Sequence, residues 1–125
     1  MLQLRGLLLF ALLLLAGCGR NGGKLAPVQG RVFHKGQPVA GGTIVFTPDP
    51  ERGGTGQQSW ARIGDDGTYY LQTEGRPGAS PGWHRITVSA AQADKLPHHF
   101  RDPELSEQRF EVKASRTNVC DLNLD

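Results

Sequence analysis

Hydrophobic residues alternate with polar ones in short runs along most of this chain, beginning near Val28. Every second side chain of a strand points to the same face, so such alternation predicts strands that bury one face. No run shows the 3.6-residue period of an amphipathic helix. We predict seven strands, at residues 28–34, 43–47, 59–63, 68–73, 83–90, 108–113 and 119–124.

Glycine- and proline-rich segments separate these runs and predict the turns between them. Residues 34–42 form a hairpin candidate, and residues 65–67 read Asp-Asp-Gly, which suits the positive φ of a tight hairpin turn. In the longest run Ile86 and Val88 are predicted to face the core, whereas Arg85 faces water. Strands with one polar face bury the other by packing two sheets together, so we expect an all-β, seven-stranded antiparallel β-sandwich.

The first 17 residues follow a different pattern. A basic start with Arg5 precedes an almost purely apolar run at residues 7–15, and two small residues, Ala16 and Gly17, come before Cys18. This order is typical of a signal peptide, so we predict that residues 1–17 are cleaved. A retained transmembrane anchor is the weaker interpretation, because the apolar run is shorter than the roughly 20 residues that span a bilayer.

Residues 15–18 read Leu-Ala-Gly-Cys and resemble the bacterial lipobox. The resemblance implies that the Cys18 thiol is diacylglycerated, that the chain is cut before it, and that two or three acyl chains anchor the protein to a membrane. Gly19 occupies the position where aspartate retains enterobacterial lipoproteins in the inner membrane, which favours the outer membrane. Residues 18–27 are polar and glycine-rich, so we expect a flexible tether there and a folded domain at residues 28–125.

Four segments of that domain carry a further resemblance. They read VQGRV (28–32), GQPVAGGTIVF (36–46), DDGTY (65–69) and PGWHRITV (81–88). In this order they resemble the carboxypeptidase regulatory-like domain, which has a prealbumin (transthyretin-like) sandwich fold. With the lipobox and the segment LPHHFRDP (96–103), the chain is similar to small planctomycete lipoproteins of that type. The family brings no catalytic residues, so the resemblance implies a fold and a location in the cell envelope.

Charge and cysteine content narrow the function classes. The formal net charge of the 125 residues is +2, and the basic residues are scattered among acidic ones, which argues against nucleic-acid binding. The chain has two cysteines, so acylation of Cys18 leaves Cys120 without an intramolecular partner. Cys120 shares its alternation with Leu122 and Leu124, and we therefore expect a buried, inert thiol.

We find no catalytic or metal motif in the sequence, and we predict no cofactor. His98 and His99 are adjacent, so on an extended segment their side chains diverge, and no third ligand stands at a recognised spacing. His84 alternates with Ile86 and Val88, which predicts a hydrogen-bonded core histidine. A metal or catalytic site would need His84 or His98 to meet a carboxylate such as Asp94 or Asp102.

Two groups of residues are candidates for binding. Trp60 and Trp83 could stack on sugar rings if both indoles are exposed, although partial burial is the commoner outcome. The long loop at residues 91–107 mixes apolar, aromatic and cationic groups suited to a protein partner, namely Leu96, His98, His99, Phe100 and Arg101.

These patterns predict a non-enzymatic, lipid-anchored envelope protein that acts as a binding or structural module through protein contacts. The domain would face the periplasm or the exterior. The alternative is a periplasmic carbohydrate-binding or metal-dependent hydrolytic accessory protein, in which case a glycan would be the partner.

Overall fold

The computed structural model of the protein describes residues 24–92 and 95–125. The predicted signal peptide, Cys18 and most of the predicted tether lie outside these residues. Within them the chain is all-β, and its helical segments are two short 3-10 helices at Pro50–Arg52 and His98–Arg101. None of the helices in this part of the chain has the length and apolar character needed to cross a membrane.

Eleven strands are present in the described residues. In chain order they are β1 (Val28–His34), β2 (Gln37–Pro38), β3 (Thr43–Pro48), β4 (Ser59–Arg62), β5 (Thr68–Tyr70), β6 (Gln72–Thr73), β7 (Arg76–Pro77), β8 (Gly82–Ser89), β9 (Gln108–Val112), β10 (Asn118–Val119) and β11 (Leu122–Leu124). Each of the seven predicted runs overlaps at least one of these strands. The runs at 68–73 and 119–124 are each divided in two, and β2 and β7 are short additions.

The strands form two sheets. The larger has six strands in the order β7-β6-β4-β3-β8-β9, and all of its pairs are antiparallel. The smaller is built around β1, which pairs with β10 and β11 in parallel and with β2 and β5 in antiparallel orientation. The prediction of purely antiparallel sheets is therefore wrong for β1, because alternation shows which face of a strand is buried and carries no information on strand direction.

The run at residues 68–73 connects the two sheets. Its first half, β5, pairs with β1 of the smaller sheet, and its second half, β6, pairs with β4 of the larger one. The predicted turn at residues 65–67 precedes it, where Gly67 has a φ of 87° and Gly64 N donates a hydrogen bond to Thr68 O over 2.8 Å. The buried residues of both sheets form one hydrophobic cluster that includes Val32, Ile44, Phe46, Tyr69, Ile86 and Leu124.

The backbone at Cys120 approaches β1 so closely that position 30 requires glycine. A Cβ added to Gly30 would lie 2.0 Å from the carbonyl oxygen of Cys120, so only glycine fits between β1 and this segment. Tyr69, the cross-strand partner of Gly30, donates a hydrogen bond to the same carbonyl. Cys120 is buried, as predicted from its alternation.

The packed domain begins slightly before the predicted boundary at Val28. Ala26 is buried and exchanges two backbone hydrogen bonds with Ala79, each 2.9 Å long. Asn118 N donates a hydrogen bond to Pro27 O over 2.8 Å. The last two residues of the predicted tether, Ala26 and Pro27, therefore contribute to the fold.

Candidate functional site

The loop predicted to bind a partner divides into a buried and an exposed half. Leu96 and Phe100 are buried in the core cluster, so they offer little surface for contact with a protein partner. His98, His99 and Arg101 are exposed on the 3-10 helix at His98–Arg101. The helix turns Phe100 inward, and this is why an apolar residue in a polar loop can serve the core rather than a binding surface.

The two adjacent histidines do not come together as ligands. The Arg101 guanidinium is hydrogen-bonded to His98 Nδ1, whereas the His99 ring packs against Phe100 with 4.1 Å between the ring centroids. In residues 24–92 and 95–125, no cluster of three or more His, Cys, Asp or Glu side chains could hold a metal ion. Asp102 uses Oδ1 to accept a hydrogen bond from the backbone N–H of Glu104.

His84 is a core residue, as its alternation predicts. Its side chain is buried, and Nε2 donates a hydrogen bond to Ser80 O over 2.8 Å. The ring packs against Phe46 with a centroid separation of 5.8 Å. Burial lowers the pKa of His84, and the hydrogen bond to Ser80 offsets part of that effect. The neutral imidazole is therefore favoured and helps to hold the start of β8.

Trp60 and Trp83 lie on the same outward side of the larger sheet but are far apart. Trp60 pairs with Val45, and Val45 pairs with Thr87, four residues along β8 from Trp83. The two indoles are thus separated by about 13 Å along the strands and two strand spacings across them. Trp83 is half-buried, with the Arg52 guanidinium 4.6 Å from its ring centroid. The predicted pair does not form one stacking surface.

A buried ion cluster covers the sheet between these tryptophans. Arg85 points outward as predicted, yet it is buried rather than solvated, which corrects that prediction. Its Nε lies 3.1 Å from Asp49 Oδ1 and its Nη1 lies 2.7 Å from Glu104 Oε1. Burial opposes the charge of Arg85, but the neighbouring carboxylates outweigh this effect and raise the pKa of the guanidinium. Asp49 also lies 3.5 Å from Arg109 Nε and caps the 3-10 helix at Pro50–Arg52.

The geometry of this ion cluster indicates a structural role. Asp49 is buried beside three guanidinium groups, those of Arg52, Arg85 and Arg109, and accepts a hydrogen bond from the backbone N–H of Glu51 over 3.1 Å. Every charge in the centre has an opposite partner, as a buried ion pair requires. The cluster holds the loop after β3 and the loop before β9 against the outer side of β8.

A second group of outward side chains extends across β6, β4, β5, β1 and β10. Its exposed large residues are Trp60, Tyr70 and Val119, with 46%, 68% and 58% of their surface accessible. We call this surface the aromatic face and define it by the outward side chains of Gln29, Arg31, Trp60, Arg62, Thr68, Tyr70, Gln72 and Val119.

Strand register brings the members of the aromatic face into rows. Tyr70 pairs with Gln29, and Gln29 pairs with Val119. Trp60 pairs with Gln72 of β6. Continuing that antiparallel register towards the turn places Arg62 level with Tyr70, and the hydrogen bond from Gly64 to Thr68 fits the same alignment. Trp60 and Tyr70 are therefore diagonal neighbours on adjacent strands, a position from which aromatic side chains reach one another.

An open cleft of ≈ 860 Å³ runs along the part of the aromatic face that contains Tyr70, Gln29 and Val119, and Trp60 lies beside it rather than in its lining. Two basic and two acidic side chains line it, namely Arg31, Arg62, Asp66 and Asp121. Neither arginine forms an ion pair with any residue in the described part of the chain. Asp66 accepts a hydrogen bond from Thr68 N and Asp121 accepts one from Arg31 N, at 3.0 and 2.9 Å. The hydrogen bond from Thr68 is the main cause of the lowered pKa of Asp66.

A second cleft, of ≈ 520 Å³, lies at the opposite end of β1. Apolar residues including Val39 and Leu96 line it together with Lys35, Lys95 and His34. His34 Nε2 is buried there without a hydrogen-bond partner among the described residues. The cleft is smaller than the one on the aromatic face, and no exposed large hydrophobic residue borders it.

Trp60 is a binding candidate from the sequence, whereas Tyr70 becomes one only in the fold, which places it on the strand next to Trp60. In the sequence Tyr70 stands in an alternating run between two buried residues, Tyr69 and Leu71, and that pattern does predict an outward side chain. Its proximity to Arg62 and Trp60 depends on pairing between strands, which the alternation does not encode.

Comparison with known protein families and curated proteins identifies no relative of this chain. No protein-family model matches the chain, and a search of curated proteins finds no significant match. The resemblance to the carboxypeptidase regulatory-like domain accordingly rests on the motifs of the chain itself.

Proposed function

We propose that this protein is a non-enzymatic bacterial lipoprotein that holds a small β-domain at the cell envelope and binds a partner on the aromatic face. The observation that carries the binding role is the exposure of Trp60, Tyr70 and Val119 on one continuous surface. Binding hot spots are enriched in tryptophan, tyrosine and arginine. A surface without a binding role does not need exposed aromatic residues beside arginines.

Membrane anchoring at Cys18 is the second part of the proposal. It is supported by the order of the basic start, the apolar run and the small residues before the cysteine. Several acyl chains hold a protein stably at a membrane without a spanning helix. The outer membrane is the favoured destination because Gly19 follows the cysteine, and the domain would face the periplasm or the exterior.

We further propose that the domain is a carboxypeptidase regulatory-like domain with a prealbumin-like sandwich. Support comes from the four motif segments and from two sheets that share a single hydrophobic cluster. In this proposal the turn glycines of the motifs serve the fold, as Gly67 does in its turn and Gly30 does beneath Cys120.

A non-enzymatic role is favoured by the surroundings of the histidines. His84 is buried in an apolar part of the core and bonded to a backbone carbonyl, so it has no access to a substrate. His98 is bonded to Arg101 rather than to a carboxylate. General acid–base catalysis needs a titratable group that a substrate can reach and a partner that orients it; His84 lacks the access, and His98 is exposed but has no carboxylate partner among its hydrogen bonds.

The same aromatic face favours one part of the alternative function, carbohydrate binding. Trp60 and Tyr70 replace the predicted pair of Trp60 and Trp83 as neighbouring aromatic rings. Metal-dependent hydrolysis has no comparable support, because the described residues contain no cluster of potential metal ligands.

The anchoring proposal is tested by feeding cells an alkyne-bearing fatty acid and following the label on the full chain. We expect label on the wild-type protein and co-sedimentation with membranes, and loss of both in Cys18→Ser. Cys120→Ser is the matched control and should stay labelled. Label that persists in Cys18→Ser would contradict anchoring at this residue.

The binding role is tested in cells with a photocrosslinking amino acid placed at Tyr70 and, as a control, at Leu105. Leu105 is also exposed but lies outside the aromatic face. We expect light-dependent adducts with an envelope component from position 70 alone. Equal adducts from both positions, or none from position 70, would argue against the aromatic face as the binding surface.

A further inference from the structure

We propose that the aromatic face binds a polysaccharide chain of hexopyranose units, with Trp60 and Tyr70 stacking on successive sugar rings. This inference rests on the proposed binding function and names the class of its ligand. Three features support a sugar ligand: the spacing of the two aromatic residues, the hydrogen-bonding groups around them, and the balance of charge in the cleft.

The two aromatic rings have the arrangement that a sugar chain requires. Both are exposed, and residues in their diagonal positions on adjacent strands lie about 7–8 Å apart. Pyranose rings present C–H groups on their faces, and those groups pack on an indole or phenol ring while the hydroxyl groups remain at the edges. An aromatic ring of this kind has an apolar body and loses little conformational entropy on binding.

The side chains next to these rings suit hydroxyl groups. Arg62 lies level with Tyr70 and carries a planar guanidinium that can donate to two neighbouring oxygens at once. Gln29 and Gln72 flank the aromatic residues as their strand partners, and an amide both donates and accepts. Asp66 and Asp121 line the same cleft with carboxylate oxygens that accept hydrogen bonds. Vicinal hydroxyls need donors and acceptors side by side, and this face supplies both.

Charge balance separates a polysaccharide from other polymers. Arg31 and Arg62 are matched in the cleft by Asp66 and Asp121, so the lining carries no excess of positive charge. A nucleic acid or an anionic membrane surface would be bound by a surplus of lysine and arginine. An uncharged chain of sugars is compatible with the balanced lining.

The shape of the face suits the interior of a chain rather than its end. The row of Thr43, Arg62, Tyr70, Gln29 and Val119 crosses five strands, a distance of about 20 Å. The cleft lies along the Arg62, Tyr70, Gln29 and Val119 part of this row and is open rather than enclosed, so a polymer can enter from the side without threading.

The test uses the full-length lipoprotein in detergent micelles and three insoluble, uncharged polysaccharides, namely cellulose, chitin and mannan. After incubation and centrifugation, the protein left in solution is measured. We expect depletion of the wild-type protein by at least one of them. Trp60→Ala and Tyr70→Ala should each weaken that binding about tenfold or more, the equivalent of one lost stacking contact.

Leu105→Ala is the matched control, because it removes an exposed apolar side chain that lies outside the aromatic face. It should bind as the wild type does, and circular dichroism should show that all variants are folded. Wild-type protein that none of the three polysaccharides depletes, or Trp60→Ala and Tyr70→Ala variants that bind as the wild type does, would overturn the proposal.

The outcome is distinguishable from a failure of the proposed function. Crosslinks from position 70 to an envelope protein, without depletion by any polysaccharide, would overturn the polysaccharide proposal and leave a protein-binding lipoprotein in its place. Failure of the Cys18 labelling experiment would concern the anchor and leave the ligand proposal standing.

Discussion

Tyr69 and Cys120 are joined in the core by a hydrogen bond from the phenol to the Cys120 carbonyl oxygen. Both side chains carry ionisable protons in a place that water does not reach. Burial raises the pKa of the Cys120 thiol to about 11, and burial is also the largest cause of the raised pKa of Tyr69. Both groups therefore stay neutral in the folded protein well above neutral pH.

Stability should consequently decrease in alkaline solution. In the unfolded chain Cys120 and Tyr69 lose their protons near 9.0 and 10.0, whereas the folded protein still holds them. The unfolded state then binds fewer protons, so the free energy of unfolding falls as pH rises, by about 1.4 kcal/mol per pH unit for each group. Urea unfolding followed by tryptophan fluorescence between pH 7 and pH 10.5 measures this slope.

The Cys120→Ala variant serves as the control for that slope. It lacks the thiol, so the difference in stability between wild type and variant should shrink as the pH rises above 9. A difference that stays constant up to pH 10.5 would show that Cys120 titrates in the folded protein at its ordinary pKa.

At the scale of elements, the loop after β3 is held on the sheet by one buried carboxylate. Asp49 is buried between Arg85 and Arg109 and caps the 3-10 helix that follows it. We expect Asp49→Ala to lower the free energy of unfolding by about 3 kcal/mol, because it removes the buried carboxylate and leaves Arg85 with only the exposed Glu51 and Glu104 as partners. The exposed carboxylate of Glu51 lies 3.4 Å from Arg85 Nη2, and Glu51→Ala should change the free energy of unfolding by about 0.5 kcal/mol or less.

Fluorescence separates loop release from a general loss of stability. Arg52 lies over the Trp83 ring, so release of the loop in Asp49→Ala should expose Trp83 and shift its emission to longer wavelength in the folded protein. Equal stability of Asp49→Ala and Glu51→Ala would contradict the role assigned to Asp49.

The 3-10 helix at His98–Arg101 contributes to the core through a single buried side chain. Phe100 is its buried residue and packs in the core cluster, whereas His98 is exposed. We expect Phe100→Ala to lower the free energy of unfolding by about 3 kcal/mol, as the truncation of a buried aromatic residue does. His98→Ala should be close to neutral in thermal unfolding. The reverse order would contradict the assignment of Phe100 to the core.

For the whole molecule, the beginning of the domain can be located by truncation. A chain that starts at Val28 lacks the two hydrogen bonds between Ala26 and Ala79 and the buried Ala26 side chain. Each lost hydrogen bond costs about 1 kcal/mol. The melting temperature should then be lower, by about 5 °C or more, than that of a chain starting at Lys24. Equal melting temperatures would place the domain boundary at Val28, as the sequence predicts.

Local pattern by itself determined where the strands of this protein lie. Alternation located β1, β3, β4, β8 and β9, and it assigned Ile86 and Val88 to the core. It succeeds because successive side chains of a strand point to opposite faces, so the order of apolar and polar residues in each short run shows which side chains are buried. The Asp-Gly turn before β5 is equally local, since it depends on the conformational freedom of Gly67.

Tertiary structure alone decided which strands are neighbours and what covers their outer sides. The fold pairs β1 in parallel with β10 and β11, which are distant in sequence. It also buries Arg85 beneath two loops and places Tyr70 level with Arg62, across a turn, in the lining of one cleft. Alternation reports the two faces of a single strand and is silent on its partners. The aromatic face, on which the proposed function rests, is therefore a property of the fold.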